Sequence, residues 1–282
     1  PNIFPEDVIL QSKKASFLQN KKWDDYSHVP FVTIDPKDAR DHDDACYAKP
    51  DDDPKNIGGH LIWVAIADVA HFVRSGDAID NEARHRGNST YFPDRVVPML
   101  PDNLSGNLCS LHEGEKRACI VVKIKIDSVG NKISHKFTRA VIQSWASLEY
   151  GEVQEVIDKG KGKPKVLDLV NTVIKPLYDA YSCLKISRKA RSPLDLNLPE
   201  RKIEIDEKGI VKDVRFKESL EAHKLIEEFM ILANVCAAET LSYKKTPTIF
   251  RVHEEPNKEK IEALRKTALS VGLKLSKGQN IK

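Results

Sequence analysis

The stretch Thr33 to Ala45, TIDPKDARDHDDA, places Asp35, Asp38, Asp41, Asp43 and Asp44 within ten residues, with only Lys37 and Arg40 as positive charges between them. Carboxylates crowded together repel one another, so they either take up protons or bind a cation. All-oxygen ligation suits Mg²⁺ or Mn²⁺, hard ions that keep positions open for water and phosphate oxygens. One or two such ions can activate a water, orient a scissile phosphate and stabilise charge on the leaving oxygen, which favours phosphodiester chemistry. A solvated turn whose side chains cap backbone N–H groups is the plainer reading, and the acidic run alone leaves both open. An EF-hand is excluded: counted from Asp41, Cys46 replaces the required glycine and Asp52 the glutamate, and counted from Asp35, Lys37 stands third.

Other charged groups carry weaker signals. Asp51-Asp52-Asp53-Pro54 has no strand pattern leading into it and reads as a surface turn. The basic run Arg188-Lys189-Ala190-Arg191 either neutralises phosphates along a nucleic-acid path or is a solvated helix end. His71 and His253 read as hydrogen-bonded structural histidines, since a metal-bound hydroxide needs no histidine base.

The acidic loop needs a scaffold, and apolar periodicity supplies one. Phe31 to Ile34 reads as a short strand running into the loop, Leu61 to Ala67 as a buried strand and Ile120 to Ile126 as a half-buried one. Lys202 to Ile205 and Val211 to Phe216 suggest a pair around Glu207-Lys208-Gly209. A helix over 220–243 carries Leu225, Phe229, Leu232 and Cys236 on one face, and another over 258–270 carries Ile261, Leu264 and Ala268. Residues 1 to about 28 look polar and irregular, and 158–165 reads as a basic turn. The fold class expected is α+β, a mixed β-sheet covered by helices with the acidic loop at a strand end.

Composition sets outer limits. With 282 residues and 40% hydrophobic content the chain can bury a substantial core. A net charge of +3 is compatible with a positive groove without proving a nucleic-acid partner. Five cysteines, odd in number and without a C-x-x-C pair, argue against a disulfide framework or thiolate zinc site and fit a reducing cytoplasm. The longest apolar run is far short of the roughly 20 residues that span a bilayer, so no membrane partner is expected. A first residue that is proline suggests an excised piece of something longer.

The acidic stretch resembles the signature of the RNB catalytic domain of the ribonuclease II and ribonuclease R family. Further ordered segments resemble it too: IADVAHFV at 66–73, RGNSTYFPDRVVPMLPDNLS at 86–105, LCSLHEGEKR at 108–117 and SWASLEYGEVQEVID at 144–158. LPERKIEID at 198–206, LIEEFMILANVCAAE at 225–239 and IFRVHEEPNKEK at 249–260 continue the series, and DARD with LIEEFM brings it closer to ribonuclease R. On this resemblance, residues 1–30 form an N-terminal linker and 31–282 an RNB-like catalytic domain whose C-terminal part is missing.

The resemblance implies a monomeric 3′-to-5′ exoribonuclease that hydrolyses single-stranded RNA to nucleoside 5′-monophosphates with Mg²⁺, or Mn²⁺. It places metal ligation on Asp35, Asp41, Asp43 and Asp44, with Asp35 and Asp44 the most direct ligands, and catalysis on Asp43 and Asp41. Asp38 matches no essential position. Tyr91 corresponds to a tyrosine that stacks near the terminal nucleotide, and Tyr150 and Glu228 to positions that hold the ribose. Packing for the tyrosines, and an ion pair for Glu228, are the structural alternatives. Arg188 and Arg191 are the candidates for contact with the RNA backbone. A family segment of the form S-P-I-R-R-Y, whose arginine is expected on the scissile phosphate, is absent, as are flanking cold-shock and S1 modules, so weak or no activity is expected of these residues alone. A phosphoesterase acting on small nucleotides and a noncatalytic RNA-binding relative are the competing readings.

Overall fold

The run LIWVAIA has no alternation that would leave one face to water, so a strand made from it needs cover on both sides. In the computed structural model, which describes residues 3–17, 22–191, 193, 200–206, 209–217, 219–250, 252 and 254–276, that run lies in the central strand of a seven-stranded sheet. Numbered in chain order, the strands of this sheet are β1 (Asp24–Asp25), β2 (Val32–Asp35), β3 (Asp44–Pro50), β4 (His60–Ala67), β7 (Lys116–Ile126), β8 (Lys132–Gln143) and β9 (Ala146–Glu149). Their spatial order is β1-β8-β7-β4-β3-β2-β9, with β1 parallel to β8, β9 parallel to β2 and the other neighbours antiparallel. The segments β5 (Thr90–Tyr91) with β6 (Val96–Val97), and β10 (Glu200–Ile205) with β11 (Val211–Lys217), form separate two-stranded sheets. The last pair is the one expected around Gly209; Glu207 and Lys208 lie outside the described residues.

The helices are α1 (Glu6–Lys14), α2 (Val69–Phe72), α3 (Ala78–Arg86), α4 (Tyr150–Lys159), α5 (Pro164–Asp168), α6 (Lys175–Arg191), α7 (Glu221–Tyr243) and α8 (Lys258–Ser270). Helices of the first unit cover both faces of the sheet. Ile62, Val64, Val122 and Ile124 share one cluster with Leu177 of α6 and with Leu225 and Phe229 of α7. Trp63, Ala65, Val121 and Ile142 point the other way and share a second cluster with Val8 of α1 and Ile79 of α3. Period-two alternation therefore sends neighbouring residues of β4 into two different cores, which is why its sequence is apolar throughout. The architecture is the α+β one expected.

Two expectations change. The described part of residues 1 to 28 is not irregular throughout: it contains α1, whose Val8 is buried, and β1, which pairs with β8. Only Val8 and Ser12 of α1 are buried, one step of four residues, a stripe too narrow to register as helical periodicity. The α8 helix has the expected bounds, yet none of its residues is buried and Leu264 is 52% exposed, so its apolar stripe covers no core among the described residues.

The chain divides into a unit Pro1–Cys236, which holds both clusters, and a unit Ala237–Lys282. In the second, Asn257 caps α8 by accepting the Lys260 N–H at 2.9 Å. No helix of the described residues is long and apolar enough to cross a membrane.

Candidate active site

β2 stops at Asp35 because Pro36 follows, without an N–H to continue the ladder. Asp35 pairs with Glu149 of β9, and β3 resumes at Asp44 opposite Ile66. The loop 36–43 carries the remaining aspartates and is fastened at several points. Ala39 N–H closes a turn on Pro36 O at 3.0 Å, and Ala67 N–H reaches Asp43 O at 3.0 Å. Leu111 N–H donates to His42 O at 2.7 Å, His42 N–H donates to Ser110 Oγ at 3.0 Å, and that hydroxyl donates to Arg40 O at 3.1 Å. Ser110 is fully buried, and the buried Arg117 donates from Nε to Ser110 O at 3.0 Å. Residues from the LCSLHEGEKR segment thus clamp the acidic loop, a contact about 70 positions apart in the chain.

The four aspartates are electrostatically coupled. Burial, then the charges of Asp43 and Asp35, push the Asp44 carboxyl up to about 7. Asp43 is raised as well, first by the protein packed around it and then by Asp35 and Asp41. The residue itself is nonetheless exposed to solvent. Asp35 turns Oδ2 onto His42 Nδ1 at 2.7 Å, and that contact leads the rise in the His42 proton affinity. Asp41 Oδ2 accepts the Tyr91 hydroxyl at 3.2 Å. The set could hold a hard divalent cation: all its donors are oxygens, and neighbouring carboxylate charges add to the rise in proton affinity of Asp43 and Asp44, as they do where anions crowd together. Among the described residues no three acidic, histidine or cysteine side chains already converge on one point at ligand range.

The tyrosines flank this loop from two directions. Tyr91 sits on β5, 66% exposed, with its ring open to solvent. Tyr150 opens α4 directly after β9 and stacks on His223 of α7, ring centroids 4.0 Å apart and planes 16° from parallel. Tyr150 follows Glu149, the strand partner of Asp35, and so starts α4 beside the acidic loop; burial, followed by the charges of Asp35 and Asp44, raises its phenol.

Glu228, Arg188 and Arg191 come together in a second group. Glu228 is buried on α7 and takes the Arg188 guanidinium, with Arg191 Nη2 at 3.5 Å from its other oxygen. Arg188 also lies 3.5 Å from Glu227. Two of the run's basic side chains, Arg188 and Arg191, are therefore ion-paired at the helix end. A cleft of about 710 Å³ lies beside it, lined by Tyr181, Lys185, Arg188, Lys189, Glu221 and Lys224, and the loop aspartates are not among its walls. His71 packs edge-on against Trp23 and Phe72, a structural role, while His253 lies outside the described residues. Asp51 and Asp53 both hold Lys125, at 2.8 and 2.7 Å, as a surface turn would.

The family model for the RNB domain matches residues 23–282. The chain belongs to the RNB family. Ribonuclease R of Escherichia coli (strain K12) is 37% identical over 254 residues, which cover 90% of this chain and 31% of that protein. An RNase R structure from Mycoplasma genitalium, in complex with ribose methylated single-stranded RNA, superposes with a TM-score of 0.89 at 31% identity, covering 98% of this chain and 43% of the other. Yeast Ssd1, described as a pseudonuclease, shares the fold with a TM-score of 0.65 at 17% identity over 98% of this chain and 32% of its own. This RNB chain spans about a third of the length of the ribonuclease R relatives it matches. Within it, His42, Ser110, Arg117 and His223 escape a reading of the sequence. His42 is enclosed in the acidic run, and Ser110 and Arg117 lie in the LCSLHEGEKR segment, but the part each plays at the loop, like that of His223, depends on long-range contacts.

Proposed function

We propose that this chain is the catalytic part, in residues 31–282, of an exoribonuclease that hydrolyses single-stranded RNA from the 3′ end and releases nucleoside 5′-monophosphates. The observation that carries the reading is the clamped loop bearing Asp35, Asp41, Asp43 and Asp44, in which Asp44 holds its proton up to about 7. Those four carboxylates would hold Mg²⁺ or Mn²⁺, which when bound supplies a Lewis acid for the phosphate and an activated water. Asp43 and Asp41 lie on the loop side and take the catalytic part, while Asp35 and Asp44 anchor from the strand ends. The names of the ribonuclease R relatives and the RNA in the Mycoplasma genitalium complex support RNA as substrate. Fold alone does not, because a pseudonuclease shares it.

In this reading the exposed Tyr91 ring stacks on the terminal base without reading its identity. Tyr150, held flat by His223 beside the carboxylates, meets the ribose. Arg188 and Arg191, paired with the buried Glu228, approach the RNA backbone, and Glu228 is the candidate to meet the ribose beside them. We place the protein in the cytoplasm as a monomer, the compartment on the strength of its scattered, odd-numbered cysteines.

A time course on 5′-labelled single-stranded RNA tests the proposal. Mg²⁺-dependent shortening from the 3′ end that EDTA stops, with a DNA control left whole, is the expected result. Intact RNA from the full-length parent, or release of phosphate from mononucleotides alone, overturns it.

A further inference from the structure

We propose that His42 is a positioning residue for cation binding: its imidazole occupies one oxygen of Asp35 and thereby presents the other to the metal. The inference rests on the metal reading above. Its basis is the 2.7 Å contact from His42 Nδ1 to Asp35 Oδ2, between side chains that are each 14% exposed. A carboxylate only accepts hydrogen bonds, so Nδ1 carries the proton whether the ring is neutral or charged.

The ring is itself fixed, which is what makes it a guide for Asp35. Its backbone N–H is held by Ser110 Oγ at 3.0 Å and its carbonyl by Leu111 N–H at 2.7 Å. The imidazole lies edge-on to His112 at 6.0 Å between centroids, and His112 Nε2 is 2.9 Å from Gly106 O. Asp35 is the last residue of β2, so its backbone is fixed by the pairing with Glu149 while its carboxylate is left to rotate. The donated hydrogen bond removes that rotation and uses up one oxygen. Asp35 is left as a one-oxygen ligand, the form a small octahedral cation accepts alongside water and phosphate. Hydrogen bonds of this kind behind a ligand typically change metal affinity about 10–100-fold.

The test uses Mn²⁺ binding to the full chain, followed by electron paramagnetic resonance. His42→Phe keeps the ring volume without a donor, and His42→Gln sets its amide one bond too far out; His42→Asn puts an amide nitrogen where Nδ1 was. We expect Phe and Gln to weaken Mn²⁺ binding about tenfold or more, and Asn to recover most of it. Melting in EDTA should be alike for the unmutated, Gln and Asn chains. Unchanged Mn²⁺ affinity in Gln overturns the inference while leaving the metal reading intact, and an Asn chain as weak as Gln overturns the hydrogen bond as the cause. An unmutated chain that takes up no Mn²⁺, indistinguishable from Asp35→Asn, overturns both. A Phe chain that fails to fold leaves the Gln and Asn comparison decisive.

Discussion

Replacing Asp44 by asparagine should make the cation-free protein more stable and at the same time remove its response to Mg²⁺. The Asp44 carboxyl rises from an ordinary 3.8 to about 7, through burial and the neighbouring charges of Asp43 and Asp35. A folded-state value above the unfolded one means that the group's contribution to stability is complete below 3.8 and is lost as pH climbs to about 7. The full loss is about 4 kcal/mol, and access of water to the half-buried group reduces it to about 2 kcal/mol. Asparagine escapes that loss, so in EDTA at about pH 8 the variant should gain about 2 kcal/mol in urea unfolding, and near pH 4 the difference should close. With Mg²⁺ at a hundred times its Kd the unmutated chain gains about 2.7 kcal/mol, and the variant far less. A variant destabilised in EDTA at about pH 8, with an unchanged Mg²⁺ response, refutes the reasoning.

Tyr91→Ala should weaken binding of a fluorescent RNA oligonucleotide by about 1–3 kcal/mol in polarisation titrations, while Tyr91→Phe, which loses only the hydroxyl contact to Asp41, should bind nearly as before. Gly130, in the turn between β7 and β8, has φ +82° and a Cβ there would overlap the Cys183 carbonyl, so Gly130→Ala should cost about 2 kcal/mol or more in urea unfolding. Glu221 is drawn down to about 2, first by Lys185 at 2.7 Å and then by Lys224 at 3.1 Å. Its contribution is present above 4.5 and lost as pH falls towards 2, so thermal melts of Glu221→Gln should fall less steeply over that range than those of the unmutated chain.

The acidic loop was legible because its chemistry and its local structure come from the same thirteen residues: a β-branched strand, a proline that ends it, and aspartates beyond. The central strand was legible from apolar content alone, and α8 from its period, down to the terminal residues. What covers an element is a different matter. The uncovered stripe of α8 and the buried Val8 of α1 depend on which surfaces meet, and local spacing does not encode that. The segment holding Ser110 and Arg117 stood out in the sequence, but its clamp on a loop some 70 residues upstream did not, for the same reason. The partner of Glu228 was not legible either: its ion pair with Arg188 arises because α6 and α7 bring together residues 40 positions apart.

The most direct test of the central claim is anomalous diffraction from crystals of the chain grown with Mn²⁺. A peak bridged by carboxylate oxygens of Asp35, Asp44 and at least one of Asp41 and Asp43 is the result predicted. No peak at that loop, or a peak confined to the surface turn at Asp51 and Asp53, would contradict the account.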